Sequence, residues 1–110
     1  MEIIEKKSGE INILSISGRL DAFYATEMEK ALDNLISSGQ LRLVIDFASL
    51  EYISSSGLRV FLAALKKTRK QQGDIKMSQM KPCIREVFDM SGFSQLFNIF
   101  ETDDEAIKGF

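Results

Sequence analysis

The feature that most constrains the fold is residues 41–65, where an apolar run of strand length is followed by a pattern of helical spacing. Residues 41–47 are mostly apolar and include β-branched side chains, which is typical of a buried strand. After the strand, apolar side chains recur on one face of a predicted helix. These side chains are Leu58, Phe61, Leu62 and Leu65. The order of the two patterns predicts a strand that is followed directly by a helix packed on the sheet.

The junction between this strand and this helix contains three consecutive serines, Ser54, Ser55 and Ser56, followed by Gly57. Serine is a preferred N-cap, because its hydroxyl accepts a hydrogen bond from a free backbone N–H of the first turn. Capping alone accounts for the serines. A phosphorylated hydroxyl would also suit this place, because the phosphate would meet free N–H groups at the positive end of the helix dipole. The first turn carries no Asp or Glu, which is compatible with the second interpretation.

Upstream of the junction, the pattern predicts two strands and a helix. Residues 2–7 and 11–18 alternate apolar and polar side chains, and the turn signal at residues 8–10 predicts that they form a hairpin. Residues 18–22 are predicted to form a loop. A helix closed by Gly39 follows. Its apolar face consists of Met28, Ala31, Leu32, Leu35 and Ile36.

Downstream of the junction, the second helix ends in a basic cluster, residues 66–72, followed by Gly73. Such a cluster could bind nucleic acid or a membrane. We favour a structural role, because cations in a last turn complement the helix dipole and Gly73 can supply the C′ position. Residues 74–80 then alternate as a short strand, and Pro82 suits the first position of a third helix. That helix is predicted to bury Ile84, Val87 and Phe88 and to end at Ser91 and Gly92.

The C-terminal part is predicted to complete the sheet with a strand near residues 97–101. Residues 93–100 are rich in aromatic side chains but contain no Lys or Arg, which favours core packing over a platform for single-stranded nucleic acid. Thr102 and Glu105 form a capping box that opens a terminal helix. The adjacent acids of that helix, Asp103 to Glu105, point in different directions, so no metal site is expected there. The order β-β-α-β-α-β-α-β-α predicts an α/β fold, with a mixed sheet of about five strands against about four helices.

The composition restricts the chemistry. The 110 residues are the size of one domain, expected to span residues 1–110, and the net charge of −2 offers no basic excess for nucleic acid. The absence of histidine excludes a Ser-His-Asp triad, a His-ligated zinc site and a phosphohistidine relay, and no phosphate-binding P-loop is present. Asp46 could do acid–base work with Glu51 or Asp21, but nothing in the sequence indicates that they converge. We therefore expect no enzyme, no cofactor and no metal.

Cellular location can be predicted from the same sequence. The single cysteine, Cys83, allows no intrachain disulfide, and without a histidine base it is expected to be a small buried or half-buried residue. No apolar run approaches the ~20 residues that span a bilayer, and the first residues lack the features of a signal peptide. These observations predict a soluble cytoplasmic protein with no contact to a membrane.

Three segments in this order resemble one known family. The segment DFASLEYISSSGLRVFLAALKK, residues 46–67, is similar to the signature of the STAS domain, and within it to the bacterial anti-sigma factor antagonists of the SpoIIAA type. Residues 18–21, Gly-Arg-Leu-Asp, match the Gly-x-Leu-Asp of the family, and residues 87–92 match a second recurrent segment. The resemblance covers nearly the whole chain and implies the STAS fold.

The resemblance also implies a function and a set of site residues. Members bind an anti-sigma factor, which is a protein serine kinase, and release the sigma factor. Phosphorylation of one serine ends that binding, and a serine phosphatase reverses it. Matched by position, that serine is Ser55, with Ser56, Gly57 and Leu58 matching the residues after it. Ser54 stands where the family usually has aspartate, so Ser54 or Ser56 is a second choice for phosphorylation.

Two further residues are candidates for contact with the partner. Asp21 matches the aspartate of the family's Gly-x-Leu-Asp loop, which lies near the phosphoserine. Asp21 could equally be a turn or helix-start residue. Arg59 could contact the partner or the phosphate, although an exposed solvated charge is the favoured interpretation. The alternatives for function are a STAS module of another signalling or lipid-transport assembly, and a nucleotide-binding STAS domain.

Overall fold

The computed structural model describes all of residues 1–110, and its centre is a five-stranded sheet with the strands in sequence order. The strands are β1 (Glu2–Ser8), β2 (Ile11–Leu20), β3 (Arg42–Ile53), β4 (Asp74–Ser78) and β5 (Asn98–Phe100). β1 and β2 pair antiparallel, as the predicted hairpin, and the other neighbours pair in parallel. The mixed sheet predicted from the sequence is therefore confirmed.

Four helices connect and cover the strands. They are α1 (Ala22–Ser37), α2 (Ser55–Lys70), α3 (Pro82–Ser91) and α4 (Asp103–Lys108). A short 3-10 turn, Phe93–Gln95, lies between α3 and β5. The predicted order of strands and helices is confirmed. Gly92 closes α3 in a left-handed conformation, as the sequence indicated.

The sheet has a large apolar layer on one face and a small one on the other. Alternate residues of β3 separate the two layers, with Leu43, Ile45 and Phe47 in the large one and Val44 in the small one. The helices α1, α2 and α3 contribute to the large layer, whereas α4 contributes Ala106 to the small layer. The two faces follow from the period of two along a strand, which sends successive side chains to opposite sides.

The strands β2 and β3, which lead into the first two helices, are longer than predicted, whereas β4 ends at Ser78 and not at residue 80. The expected loop at residues 18–22 is wrong, because β2 continues to Leu20 and only Asp21 separates it from α1. β3 likewise continues past residue 47 to Ile53, where it still pairs with Leu20. Two register shifts in β2 allow the pairing to continue. Hydrogen bonding between two long neighbours thus overrides the polar residues that suggested a loop.

The end of α2 also differs from the prediction at Gly73. The left-handed residue after the helix is Gln72, with φ +67°, and not Gly73. Gln72 N–H donates to the Arg69 carbonyl oxygen and Gly73 N–H to that of Thr68, which is the Schellman pattern. Gly73 is needed for close approach instead, because a Cβ there would lie 2.3 Å from the Leu41 carbonyl oxygen.

The expectation that Cys83 is buried or half-buried is also wrong. Its side chain is exposed on α3, where Ile84 and Phe88 take the buried positions. Two cations of the basic cluster at the end of α2 form ion pairs within the chain. Lys67 Nζ lies 2.8 Å from Asp33 Oδ1, and Arg69 Nε lies 3.2 Å from Asp74 Oδ1.

Candidate functional site

The strand ends next to the three serines are joined by backbone pairing. Leu20 and Ile53 are partners at the ends of β2 and β3, and Ser54 N–H donates to the Leu20 carbonyl oxygen at 2.9 Å. Asp21 follows Leu20 directly and Ser55 follows Ser54, so the starts of α1 and α2 lie side by side. The fold thus brings together the two sequence-predicted site segments.

The three serines have three different environments. Ser54 has an extended backbone and caps α2, since its Oγ accepts from Gly57 N–H at 3.2 Å. Ser55 is the first residue of the helix, and its side chain is exposed and makes no hydrogen bond. Ser56 is half-buried, and its Oγ accepts from Arg59 Nη2 at 3.3 Å. The cap therefore falls on Ser54, and the exposed hydroxyl without a hydrogen bond falls on Ser55.

Gly57 sets the distance between the start of α2 and the sheet. A Cβ at this position would lie 2.9 Å from Leu20 Cγ and 3.0 Å from Ile53 Cγ1, which is closer than carbon atoms pack. The buried first turn of α2 therefore needs glycine here, and this close packing leaves Ser55 on the outer side of the turn.

The start of α2 carries no negative charge of its own. Neither α1 nor α2 has an acidic residue in its first turn. Asp21 is the N-cap of α1, and its Oδ1 accepts from Tyr24 N–H at 3.1 Å, so the helix-start interpretation of Asp21 is confirmed. A shallow groove of about 330 Å³ between α1 and α2 begins at this end and is bordered by Ser56, Arg59 and Glu29.

Phe23 is a candidate site residue that the sequence analysis missed. Its side chain is 80% exposed, although its ring makes an edge-to-face contact with Tyr24, with centroids 5.0 Å apart. It follows Asp21 by two residues, on the same end of the molecule as Ser55. The signal was available in the sequence, because Phe23 does not share the helical face of Met28, Leu32 and Ile36 that α1 buries. An exposed aromatic residue of this kind is typical of a protein contact.

A second polar cluster lies where α4 covers the other face of the sheet. Asp46 Oδ1 accepts from Ala48 N–H at 2.9 Å and Oδ2 from Gln79 Nε2 at 2.8 Å, and Asp103 accepts from Ser78 Oγ at 2.5 Å. Burial raises the pKa of Asp46, and the neighbouring Asp103 raises it further. The acid beside Asp46 is therefore Asp103, which comes from the terminal helix.

The comparisons with known proteins agree with this architecture. The STAS domain family matches residues 2–106. BtrV of Bordetella bronchiseptica, whose name places it among the anti-sigma factor antagonists, is 34% identical over 110 residues, which cover 100% of this chain and 95% of the relative.

Two solved structures share the fold. An anti-sigma factor antagonist from Mycobacterium paratuberculosis is 24% identical, with a TM-score of 0.89 and a coverage of 98% of this chain and 92% of the other. The Bacillus cell fate determinant SpoIIAA in its phosphorylated form is 21% identical, with a TM-score of 0.77 and a coverage of 97% of each chain. None of the helices of this chain combines the length and the apolar composition that crossing a bilayer requires. On the match of nearly its whole length, the chain belongs to the STAS domain family.

Proposed function

We propose that this chain is an anti-sigma factor antagonist whose binding is controlled by phosphorylation of Ser55. Without phosphate on Ser55, it binds an anti-sigma factor that is a protein serine kinase, and the sigma factor is released. Phosphorylation ends the binding, and a serine phosphatase restores it. The chain acts as a single STAS domain in the bacterial cytoplasm, as a regulator and a kinase substrate and not as an enzyme.

The observation that carries this proposal is the separation of roles among the serines. Ser54 provides the cap that the helix needs, so Ser55 is not required for folding and its hydroxyl is exposed. A kinase must reach the hydroxyl that it modifies, and the modified chain must remain folded if the change is to be reversible. Ser55 meets both requirements, whereas the hydroxyls of Ser54 and Ser56 are already in hydrogen bonds.

The physical effect of the phosphate is local. It adds about −1.5 to −2 charges and three acceptor oxygens at the first residue of α2. A negative charge at this end of a helix is favourable by ~0.3–1 kcal/mol, so the fold tolerates the modification. The partner surface meets a new dianion, and a like charge held against an acidic surface costs several kcal/mol of binding free energy. The switch therefore acts through charge and shape, with little change in the backbone.

The proposed docking surface combines the starts of the two neighbouring helices. From α1 it includes Asp21 and the exposed ring of Phe23. From α2 it includes the serines, Gly57 and Arg59. An aromatic ring and an arginine beside small polar residues are the composition expected for the centre of a protein interface. Relatives support the assignment, since BtrV is named with the antagonists and SpoIIAA has been solved in a phosphorylated form.

The test is a pull-down from the native cell with the wild-type chain and with Ser55→Asp, followed by mass spectrometry. We expect the wild type to retain a protein serine kinase of the anti-sigma type and Ser55→Asp to lose it. A kinase assay with Ser55→Ala tests the modified residue, because the label should disappear from that variant and remain in Ser56→Ala. Retention of the same partners by Ser55→Asp would contradict the proposal, and saturable nucleotide binding by calorimetry would favour a nucleotide-binding STAS domain.

A further inference from the structure

Arg59 differs from the other arginines of the chain in what its guanidinium contacts. Arg42, Arg69 and Arg85 form ion pairs with carboxylates, and Arg19 lies 4.2 Å from the centroid of the Tyr52 ring. Arg59 contacts only a neutral hydroxyl, that of Ser56. Its guanidinium therefore forms no ion pair, at the end of the molecule that carries the proposed docking surface.

The direction of the Arg59 side chain places this charge over the start of α2. Side chains of a helix lean toward its N-terminus, so residues four apart lie one above the other on the surface. Ser55 and Arg59 are such a pair, and the contact from Arg59 Nη2 to Ser56 Oγ shows that the guanidinium reaches back over the first turn. Ser55 Oγ lies on this turn without any hydrogen bond of its own.

We infer that phosphorylation of Ser55 draws the Arg59 guanidinium away from Ser56 and onto the phosphate. This inference rests on the proposed function and describes how the same site is regulated. A hydrogen bond between two charged groups is shorter and about twice as strong as one between neutral groups, and the planar guanidinium can donate two parallel bonds to phosphate oxygens. The neutral hydroxyl of Ser56 is a weaker acceptor for the guanidinium than the phosphate is. After Arg59 moves, water forms the hydrogen bond to the Ser56 hydroxyl.

This exchange gives the modification two effects on the docking surface. It adds a dianion at Ser55, and it turns a cation that forms no ion pair, Arg59, away from the partner. A partner with an acidic group opposite Arg59 loses an attractive contact at the moment that it gains a repulsive one. The guanidinium offsets part of the phosphate charge, so the start of α2 changes from a net charge of +1 to about −0.5 to −1 and its sign toward the partner is reversed.

The test uses the chain with phosphoserine incorporated genetically at position 55, so that no kinase is needed. The pKa of the second ionisation of the phosphate, near ~6 without neighbours, is measured by ³¹P NMR in the wild type and in Arg59→Gln. We expect the pKa to be lower in the wild type by about 0.3 units or more, because the cation favours the dianion. Arg59→Lys should recover part of the difference, and high salt should reduce it.

The matched control is Arg85→Gln, which removes the same charge from an exposed arginine that is paired with Asp89 on α3. It should leave the phosphate pKa at the wild-type value. Equal pKa values in the wild type and Arg59→Gln would overturn the inference. Because the phosphoserine is installed without a kinase, this outcome is independent of whether the pull-down identifies an anti-sigma factor. The two proposals can therefore fail separately.

Discussion

The helices α2 and α4 begin in the same way but carry opposite electrostatic environments. In both, a hydroxyl caps the first turn: Ser54 Oγ accepts from Gly57 N–H at 3.2 Å, and Thr102 Oγ1 accepts from Glu105 N–H at 3.1 Å. The first turn of α4 contains three acids, Asp103, Asp104 and Glu105, whereas the first turn of α2 contains none. The hydrogen bonding of the two starts is equivalent, and the charge is not.

The difference is that α4 carries its own stabilising negative charges in the first turn, whereas α2 carries none. Acidic side chains near a helix N-terminus each contribute about 0.3–1 kcal/mol, and α4 obtains this from its own sequence. At α2, the uncharged residues Ser55, Ser56 and Gly57 occupy the same positions, and in the proposed function a kinase supplies the negative charge and a phosphatase removes it. α1 and α3 also lack acids in their first turns, so what distinguishes α2 is the exposed hydroxyl of Ser55 and not the missing acids alone. A permanent acid at Ser55 would fix the surface in its modified state.

The largest predicted effect therefore concerns partner binding at α2. Phosphorylation of Ser55, or Ser55→Asp to a lesser degree, should reduce affinity for the anti-sigma factor by about 100-fold or more, which corresponds to ~2.8 kcal/mol. Isothermal calorimetry with the purified partner measures this. Asp104→Asn changes charge by one unit at the start of α4, on the other face of the sheet, and should leave the affinity unchanged. Equal losses in the two variants would indicate an effect of net charge and not of position.

The sequence predicted this junction at the level of elements but not of single atoms. The strand before the serines and the helix after them follow from apolar spacing. The predicted cap at Thr102 is confirmed, but the Glu105 carboxylate accepts from the Thr102 hydroxyl and not from its backbone N–H, so the capping box is incomplete. Which serine caps α2 depends on the backbone bond from Ser54 N–H to the Leu20 carbonyl oxygen. That bond depends on the pairing register of β2 and β3, which local patterns do not encode.

Contacts between distant segments were the other information missing from the sequence. Asp46 and Asp103 are far apart in the chain, and only the return of α4 over the sheet brings them together. At the end of α2, the sequence predicted Gly73 as the C′ residue. Gln72 takes that position instead, and the packing against Leu41 requires glycine at position 73. In both cases the outcome depends on a tertiary contact that the local sequence pattern does not encode.

The next prediction compares the two caps directly. Ser54→Ala removes the side-chain cap of α2, the acceptor for Gly57 N–H, and should lower the free energy of unfolding by about 1 kcal/mol. Thr102→Ala removes the equivalent bond from α4, where three acids still interact with the free N–H groups, so we expect a smaller loss. Urea denaturation monitored by circular dichroism measures both. Equal losses would mean that the acids of α4 do not compensate for a missing cap.

The contact between Asp46 and Asp103 of α4 allows a prediction of pH dependence. Burial, and then Asp103, raise the pKa of Asp46, so the folded chain holds this proton more tightly than the unfolded chain, where the pKa is about 3.9. Its contribution to stability is complete below that pH and is lost as the pH rises through the folded-state pKa. Asp46→Asn removes this charge, and rotation of the Gln79 amide lets its oxygen accept from the new side-chain nitrogen. The substitution should therefore raise the free energy of unfolding at neutral pH by ~0.5–1 kcal/mol.

This gain should disappear on acidification, because Asp46 of the wild type is then neutral as well. Thermal unfolding at a series of pH values gives the comparison. The control is Glu51→Gln, which neutralises an exposed acid of the same strand and should show no such pH dependence. A gain that persists unchanged at acidic pH would show that the substitution acts through packing or hydrogen bonding and not through the charge.

The smallest predicted effects exchange the electrostatic environments of the two helix starts. Phosphorylation of Ser55 gives α2 the negative charge that it lacks and should raise the free energy of unfolding by ~0.3–1 kcal/mol. Asp104→Asn removes one of the charges at α4, where Asp104 is exposed, and should lower it by about 0.3 kcal/mol. Both changes should shrink at high salt, since exposed charges are screened. A large loss of stability or of helical signal on phosphorylation would show instead that the modification disrupts α2. Binding would then be controlled by a change in folding and not by a change in surface charge.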